Sequence, residues 1–153
     1  MSNEVRPKIK IDKTPADKII EFIALAGILF ILITDFIFFK NNPELPFYKQ
    51  LAIIIVSFLA MIIYTGISFL NKYPEKFNYA VKITKQNARI QYVLALRFLR
   101  LLKLFIVWMF VVIICNQTKL FLNKTESLTL IFLLVALIIF LLIKYINKSM
   151  TND

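Results

Sequence analysis

The chain has 153 residues, of which 59% are hydrophobic, and a mean hydropathy of +0.74. A soluble domain of this length is about half apolar, so the higher apolar fraction predicts a membrane protein. The length predicts a single domain over residues 1–153. One cysteine and no histidine exclude an internal disulfide, a Cys/His metal site and histidine acid–base catalysis.

The first long apolar block covers residues 19–39 and is long enough to cross a bilayer as one helix. It follows Thr14, which suits an N-cap, and Pro15, which suits the first helical position. Asp17 stands where its side chain can return a hydrogen bond to the cap. These residues predict a helix that begins at Pro15 and acts as an uncleaved membrane anchor.

Asp35 and its neighbour Thr34 lie inside this block and form a candidate intramembrane polar site. A carboxylate there would lie about 6 Å inside the outer boundary, where a charge is costly and often functional. In one interpretation it reaches the outer headgroups and pairs with a lysine of the outer turns: Lys40, Lys49 or Lys119. In the other it serves ion or proton movement or faces a ligand cavity.

Three further apolar blocks predict spans over 51–70, 101–118 and 128–146, with a polar connection over 71–100. The fold class is therefore all-α: an integral membrane four-helix bundle built from two helical hairpins. In a three-span alternative, the third helix would lie on the membrane surface instead.

Local patterns add detail to the second and third helices. The hydroxyls of Ser57, Thr65 and Ser68 are expected to bond back to the preceding helical turn and to need no other partner. The third helix is predicted to begin at Thr84 and to run to Cys115 without Pro or Gly. Only its second half is apolar enough for hydrocarbon.

The basic residues predict the orientation, because cytoplasmic segments carry an excess of Lys and Arg. The two chain ends, the middle connection and the start of the third span together hold 15 of them, whereas the two outer turns hold 4. Both termini are therefore predicted to be cytoplasmic. The net charge of +10 lies between the apolar blocks, so anionic lipid headgroups are the expected partner and nucleic acid is not.

A basic stripe is predicted at the start of the third helix. Most of its members fall within an arc of roughly 120° at 100° per residue. It consists of Lys82, Lys85, Arg89, Arg97, Arg100 and Lys103. The stripe is interpreted either as an anchor at the headgroup boundary or as a docking face for anionic lipid or for an acidic protein or peptide.

Two segments carry a family resemblance. Residues 73–92 read YP-x-x-FNY-x-V-x-IT-x-x-NA-x-x-QY, and residues 6–11 read RPKIKI. Together they resemble a bacterial membrane domain of unknown function that also forms the N-terminal part of SdpI-type toxin-immunity proteins. The resemblance implies a bacterial inner-membrane location. The family's outer loop carries Ile-Pro-x-His-Phe after a Leu-Pro pair, whereas here Leu45-Pro46 leads directly to Phe47 and the second span.

Two functions follow as expectations. The first is a non-enzymatic binding protein of immunity or signalling type that uses its basic helix. The second is a small transporter or channel component that uses Asp35. No phosphate-binding glycine loop, metal-ligand cluster or nucleophile–base pair is recognisable, so no enzyme activity, metal or cofactor is expected. A structural scaffold is a third option.

Overall fold

The computed structural model describes residues 6–79 and 82–119. Within these ranges the chain forms three α-helices and one short 3-10 helix, and it contains no strand. The helices are α1 (Pro15–Asn41), α2 (Phe47–Leu70) and α3 (Ala88–Thr118), and the 3-10 helix covers Pro74–Lys76. The described residues are therefore all-helical, and each α-helix is long and apolar enough to cross a membrane. The fourth predicted span, 128–146, lies outside the described residues.

Helix α1 begins where its capping residues predict. The Asp17 N–H donates to the Thr14 hydroxyl at 3.3 Å, and the Thr14 N–H donates to the Asp17 carboxylate at 2.9 Å. Pro15 occupies the first turn, where its missing N–H costs nothing. The predicted start of this helix is confirmed.

The hydroxyls of α2 divide into two kinds. Thr65 donates to the Met61 carbonyl at 2.8 Å and Ser68 to the Tyr64 carbonyl at 2.7 Å, as predicted. For Ser57 the prediction is wrong, since its buried Oγ has no hydrogen-bond partner in the described part of the chain. Ser57 faces the helix interface beside Asp35 rather than the preceding turn.

Helix α3 begins at Ala88, four residues later than predicted. The Thr84 N–H donates to the Asn87 side chain at 2.8 Å, and the Asn87 N–H donates to the Thr84 hydroxyl at 3.3 Å. These two bonds form the same reciprocal pattern as those of Thr14 and Asp17, and the Ala88 N–H donates to the Thr84 carbonyl at 3.0 Å, but the regular helix starts only at Ala88. The helix ends at Thr118, and Lys119 follows in the left-handed conformation with φ 52°.

Helix α3 packs against both other helices. Its residues Arg100 and Val107 lie beside Asp17 and Gly27 of α1, so these two helices run in the same direction. Helix α2 runs the opposite way, with Ser68 beside Lys103 near the start of α1. Since α3 follows α1 through the bundle in this way, it does not lie across the surface as the three-span alternative requires.

The apolar core follows a spacing of three or four residues on each helix, the pattern of helices packed side by side. The fully buried members of the central cluster are Ile28, Ile31, Ile53, Ala60, Val107, Val111, Ile114 and Cys115. Cys115 is a buried small hydrophobe, as its apolar context suggests.

Residues 6–14, here called the N-terminal arm, pack on the start of α3 and on the connection before it. Ile9 and Ile11 contact a small cluster formed by Ile83, Ala88 and Tyr92. The Tyr92 hydroxyl also donates to a main-chain carbonyl of the arm, that of Pro7, at 3.1 Å. The first turns of α3 therefore extend beyond the start of α1 and are covered by the chain itself.

Candidate functional site

Charged side chains from α1 and α3 meet where α1 begins. Asp17 and Glu21 are four residues apart on α1, and Arg100 and Lys103 are three apart on α3. These spacings place each pair on one helix face. Because α1 and α3 run in the same direction, the two pairs face one another over one helical turn. We call these four residues the charge cluster.

The best-formed contact of the charge cluster joins Arg100 to Asp17. The Arg100 guanidinium lies 2.8 Å from Asp17 Oδ1, and the two side chains are only 4% and 5% exposed. The second oxygen of Asp17 accepts hydrogen bonds from Thr14, so the carboxylate is fully engaged. Arg97 reaches the same carboxylate at 3.9 Å but is 40% exposed.

Lys103 links the charge cluster to the third helix. Its ammonium group lies 3.9 Å from Glu21 Oε1, and it donates to the Ser68 hydroxyl of α2 at 3.1 Å. The same group lies 4.8 Å from the centre of the Tyr64 ring, a cation–π distance. Glu21 also pairs with Lys13 of the N-terminal arm. All three helices and the arm therefore meet at one point.

The buried charges of this cluster balance. Two buried cations, Arg100 and Lys103, face two carboxylates, Asp17 and Glu21. A buried pair costs much desolvation energy and is most damaging when one partner is removed. The arrangement therefore holds the helices in register.

The predicted basic stripe divides into two parts. Arg100 and Lys103 are buried in the charge cluster, 3% and 2% exposed. Lys82, Lys85 and Arg89 are exposed, and Arg97 lies between the two groups. The exposed part offers a surface to a ligand or partner, and the buried Arg100 also lines a cavity on this side of the helix.

A cavity of about 190 Å³ lies between the N-terminal arm and the exposed part of α3. We call it the arm pocket. On the helix side its lining residues follow one face at steps of three or four. It is lined by Lys10, Ile11, Asp12, Thr14, Asp17, Arg89, Val93, Arg97 and Arg100. Sequence reasoning did not find this pocket, because the arm and the helix are some eighty residues apart.

Asp35 and Thr34 are buried between the helices, 8% and 2% exposed. Asp35 forms no ion pair within the described residues, so the pairing with Lys40, Lys49 or Lys119 is not formed there. One oxygen of Asp35 is buried with no hydrogen-bond partner in residues 6–79 and 82–119. Ser57 Oγ, on the neighbouring helix, is in the same state. The two polar groups face each other inside an otherwise apolar interface.

The sequence pattern identified Asp17 only as part of a helix cap and did not identify the charge cluster. A signal for this cluster was nevertheless present in the sequence. Two carboxylates, Asp17 and Glu21, lie four residues apart at the start of one span, and two cations, Arg100 and Lys103, lie three residues apart at the start of another. In the described ranges, no group of three or more side chains is arranged to hold a metal ion.

Comparison of the chain with protein-family models, curated proteins and solved structures found no match. The resemblance to the SdpI-associated domain therefore stays a prediction. The two segments that carry it are nevertheless in contact. The Arg6 guanidinium donates to the main-chain carbonyls of Glu75 (3.2 Å) and Phe77 and lies 5.8 Å from the Tyr79 ring centre. Tyr79 in turn stacks near Tyr92, with 5.6 Å between ring centres.

Proposed function

We propose that this chain is a four-helix protein of a bacterial inner membrane with both termini in the cytoplasm. The distribution of basic residues supports this orientation, since 15 lie on one side and 4 on the other. Two of the 15, Arg100 and Lys103, are buried and neutralised by carboxylates. The excess on the proposed inner side persists without them. Its four spans form two helical hairpins.

Its proposed role is a non-enzymatic binding protein of immunity or signalling type. The contact surface consists of cations at the start of α3 and just before it: Lys82, Lys85, Arg89 and the partly exposed Arg97. The supporting observation is that this segment extends beyond the start of α1 and leads into a helix anchored to the bundle by the charge cluster. A rigid basic helix at the membrane boundary suits an acidic ligand, partner or lipid surface.

A survival assay tests this role. The full chain is expressed in a sensitive host, which is then challenged with candidate membrane-active toxins and with envelope stress. Wild type is expected to raise survival against at least one challenge, and Lys85→Gln/Arg89→Gln to lose that protection. Lys40→Gln/Lys49→Gln removes the same charge at the other end of the bundle and is expected to protect like wild type. Unchanged survival across the whole set would refute the role.

A second function, a small transporter or channel component, is favoured by one observation. Asp35 is a buried carboxylate without an ion-pair partner in the described residues, beside the buried Ser57 side chain. Intramembrane carboxylates of this kind often serve ion or proton pathways. In reconstituted vesicles, Asp35→Asn should then alter ion or proton flux while Asp35→Glu largely retains it. Equal flux in all three proteins and in empty vesicles would eliminate this function.

A further inference from the structure

We propose that the arm pocket is a binding site for a phosphate group, most suitably the headgroup phosphate of an anionic lipid. The inference deepens the proposed function and rests on its membrane orientation and on the same basic end of the molecule. The argument uses the charge balance of the pocket, its buried arginine, its size and its position.

The charge balance of the pocket favours an anion. Four cationic and two anionic side chains line it. Asp17 is bound by Arg100 and by Thr14, and Arg97 lies 3.9 Å from the same carboxylate, so its single negative charge is shared by two cations. Lys10 and Arg89 form no ion pair within residues 6–79 and 82–119. Asp12 is the remaining carboxylate of the lining, and a net positive charge is left facing the cavity.

Arg100 supplies an independent indication. Its side chain is only 4% exposed, and its buried Nε has no hydrogen-bond partner among the described residues. Arg100 Nε lies 3.7 Å from Glu21 Oε1, an ion-pair distance that is too long for a hydrogen bond. Buried donors of this kind are usually satisfied, and guanidinium groups match phosphate oxygens well.

The size of the pocket limits the ligand. At about 190 Å³ the cavity is smaller than the roughly 300–1,000 Å³ typical of sites for larger organic ligands. A compact phosphate headgroup is the class that fits. The helix end alone is not the site, because Pro15 has no N–H and the Asp17 N–H is already bound by Thr14.

The position of the pocket favours lipid as the source of the phosphate. Its lining residues stand just ahead of the first apolar residue of α1, Ile19. In the proposed orientation this is the level of the inner-leaflet headgroups, where anionic lipids attract basic residues. A soluble phosphate ion has the same chemistry and is distinguished by experiment.

The test uses the full chain in a maltoside detergent, which carries no phosphate. Thermal unfolding, followed by the fluorescence of Trp108, is measured during titration with three probes. These are dioctanoyl-phosphatidylglycerol, inorganic phosphate and dioctanoylglycerol, which shares the acyl chains but has no phosphate. Phosphatidylglycerol is expected to raise the unfolding temperature in a saturable way, and dioctanoylglycerol is not. A saturable rise with inorganic phosphate as well would support the site and extend it to soluble phosphate.

Variants show whether the pocket or the general charge is responsible. Lys10→Gln/Arg89→Gln is expected to weaken phosphatidylglycerol binding at least about tenfold, because two charged hydrogen bonds are lost. Lys18→Gln/Lys72→Gln removes the same charge at the same end outside the pocket, and is expected to change affinity less than about twofold. All four side chains are exposed, so both variants should fold, which circular dichroism verifies.

Three results would overturn the proposal: equal weakening by both double variants, equal effects of phosphatidylglycerol and dioctanoylglycerol, or no saturable response to any probe. Failure here leaves the survival assay unaffected, since that assay is read without any lipid titration. Conversely, if the pocket binds phosphate but the protein has no effect on survival, the immunity role is refuted and the phosphate site stands.

Discussion

Gly27 lets α1 and α3 approach closely, which makes it a sensitive test of the described packing. A Cβ built at Gly27 would lie 2.7 Å from Val107 Cγ1, with Trp108 Nε1 at 3.7 Å. Val107 is 1% exposed, and its branched side chain has little freedom to rotate away. Gly27→Ala must therefore push the helices apart or strain Val107. Gly66 of α2 is the matched control, since a Cβ there meets nothing within 4 Å.

The magnitude follows from two opposing effects. Overpacking a well-packed interior costs about 1–3 kcal/mol. Replacing glycine by alanine in a helix stabilises it by roughly 0.8–1 kcal/mol, and this effect is shared by both sites. The difference between Gly27→Ala and Gly66→Ala should then be the overpacking cost alone, about 1–3 kcal/mol in the free energy of unfolding.

The assay is unfolding of the full chain in mixed micelles by increasing sodium dodecyl sulfate, followed by circular dichroism. Gly27→Ala should unfold at a lower detergent fraction than Gly66→Ala. Adding Val107→Ala to Gly27→Ala removes the colliding methyl groups and should recover part of the loss, a coupling that a double-mutant cycle measures. If Gly27→Ala proves as stable as Gly66→Ala, the close contact between α1 and α3 is refuted.

Three further predictions concern the end of the bundle where α1 begins. Arg100→Met should lower the free energy of unfolding by about 3–5 kcal/mol, because it leaves the buried Asp17 carboxylate without its partner. Arg97→Met, at a partly exposed position, should lower it by less than about 1 kcal/mol. Equal losses in detergent unfolding would contradict the buried pair. Tyr92→Phe removes the hydroxyl that donates to the N-terminal arm, so trypsin should cleave the arm several-fold faster. Tyr73→Phe is the control and should leave the cleavage rate unchanged. Identical cleavage rates for the two variants would contradict the contact between Tyr92 and the arm. Burial raises the pKa of Tyr79 to about 12, above its usual 10, so the unfolded chain loses this proton first and stability should fall as the pH rises from 10 to 12. Tyr79→Phe should show a smaller alkaline loss in thermal unfolding, and an unchanged loss would contradict burial of the phenol.

The candidate site was only partly predictable from sequence. The basic stripe was recognised from its helical spacing, yet spacing does not reveal which members face another helix. Arg100 and Lys103 point into the bundle because α1 presents Asp17 and Glu21 at the matching height. Asp35 was recognised because a carboxylate in an apolar block stands out, but its burial beside Ser57 depends on how α1 meets α2.

Sequence by itself determined the features that depend on neighbouring residues. The length of the apolar runs defined the three described spans, and the Thr14–Asp17 capping bonds defined the start of α1. Backbone hydrogen bonding inside lipid is satisfied within each helix, so these elements need no information from distant parts of the chain. The start of α3 departed from prediction: Thr84 and Asn87 exchange capping hydrogen bonds, but the regular helix begins only at Ala88.

Only the tertiary structure decided which faces meet. The close approach at Gly27, the balanced charge cluster and the arm pocket join residues that are some eighty positions apart in the chain. Such contacts are set by the direction and height at which whole helices pack. The sequence of a single helix does not determine either quantity. An apolar face can contact lipid as well as another helix, so apolarity alone does not show which faces pack together.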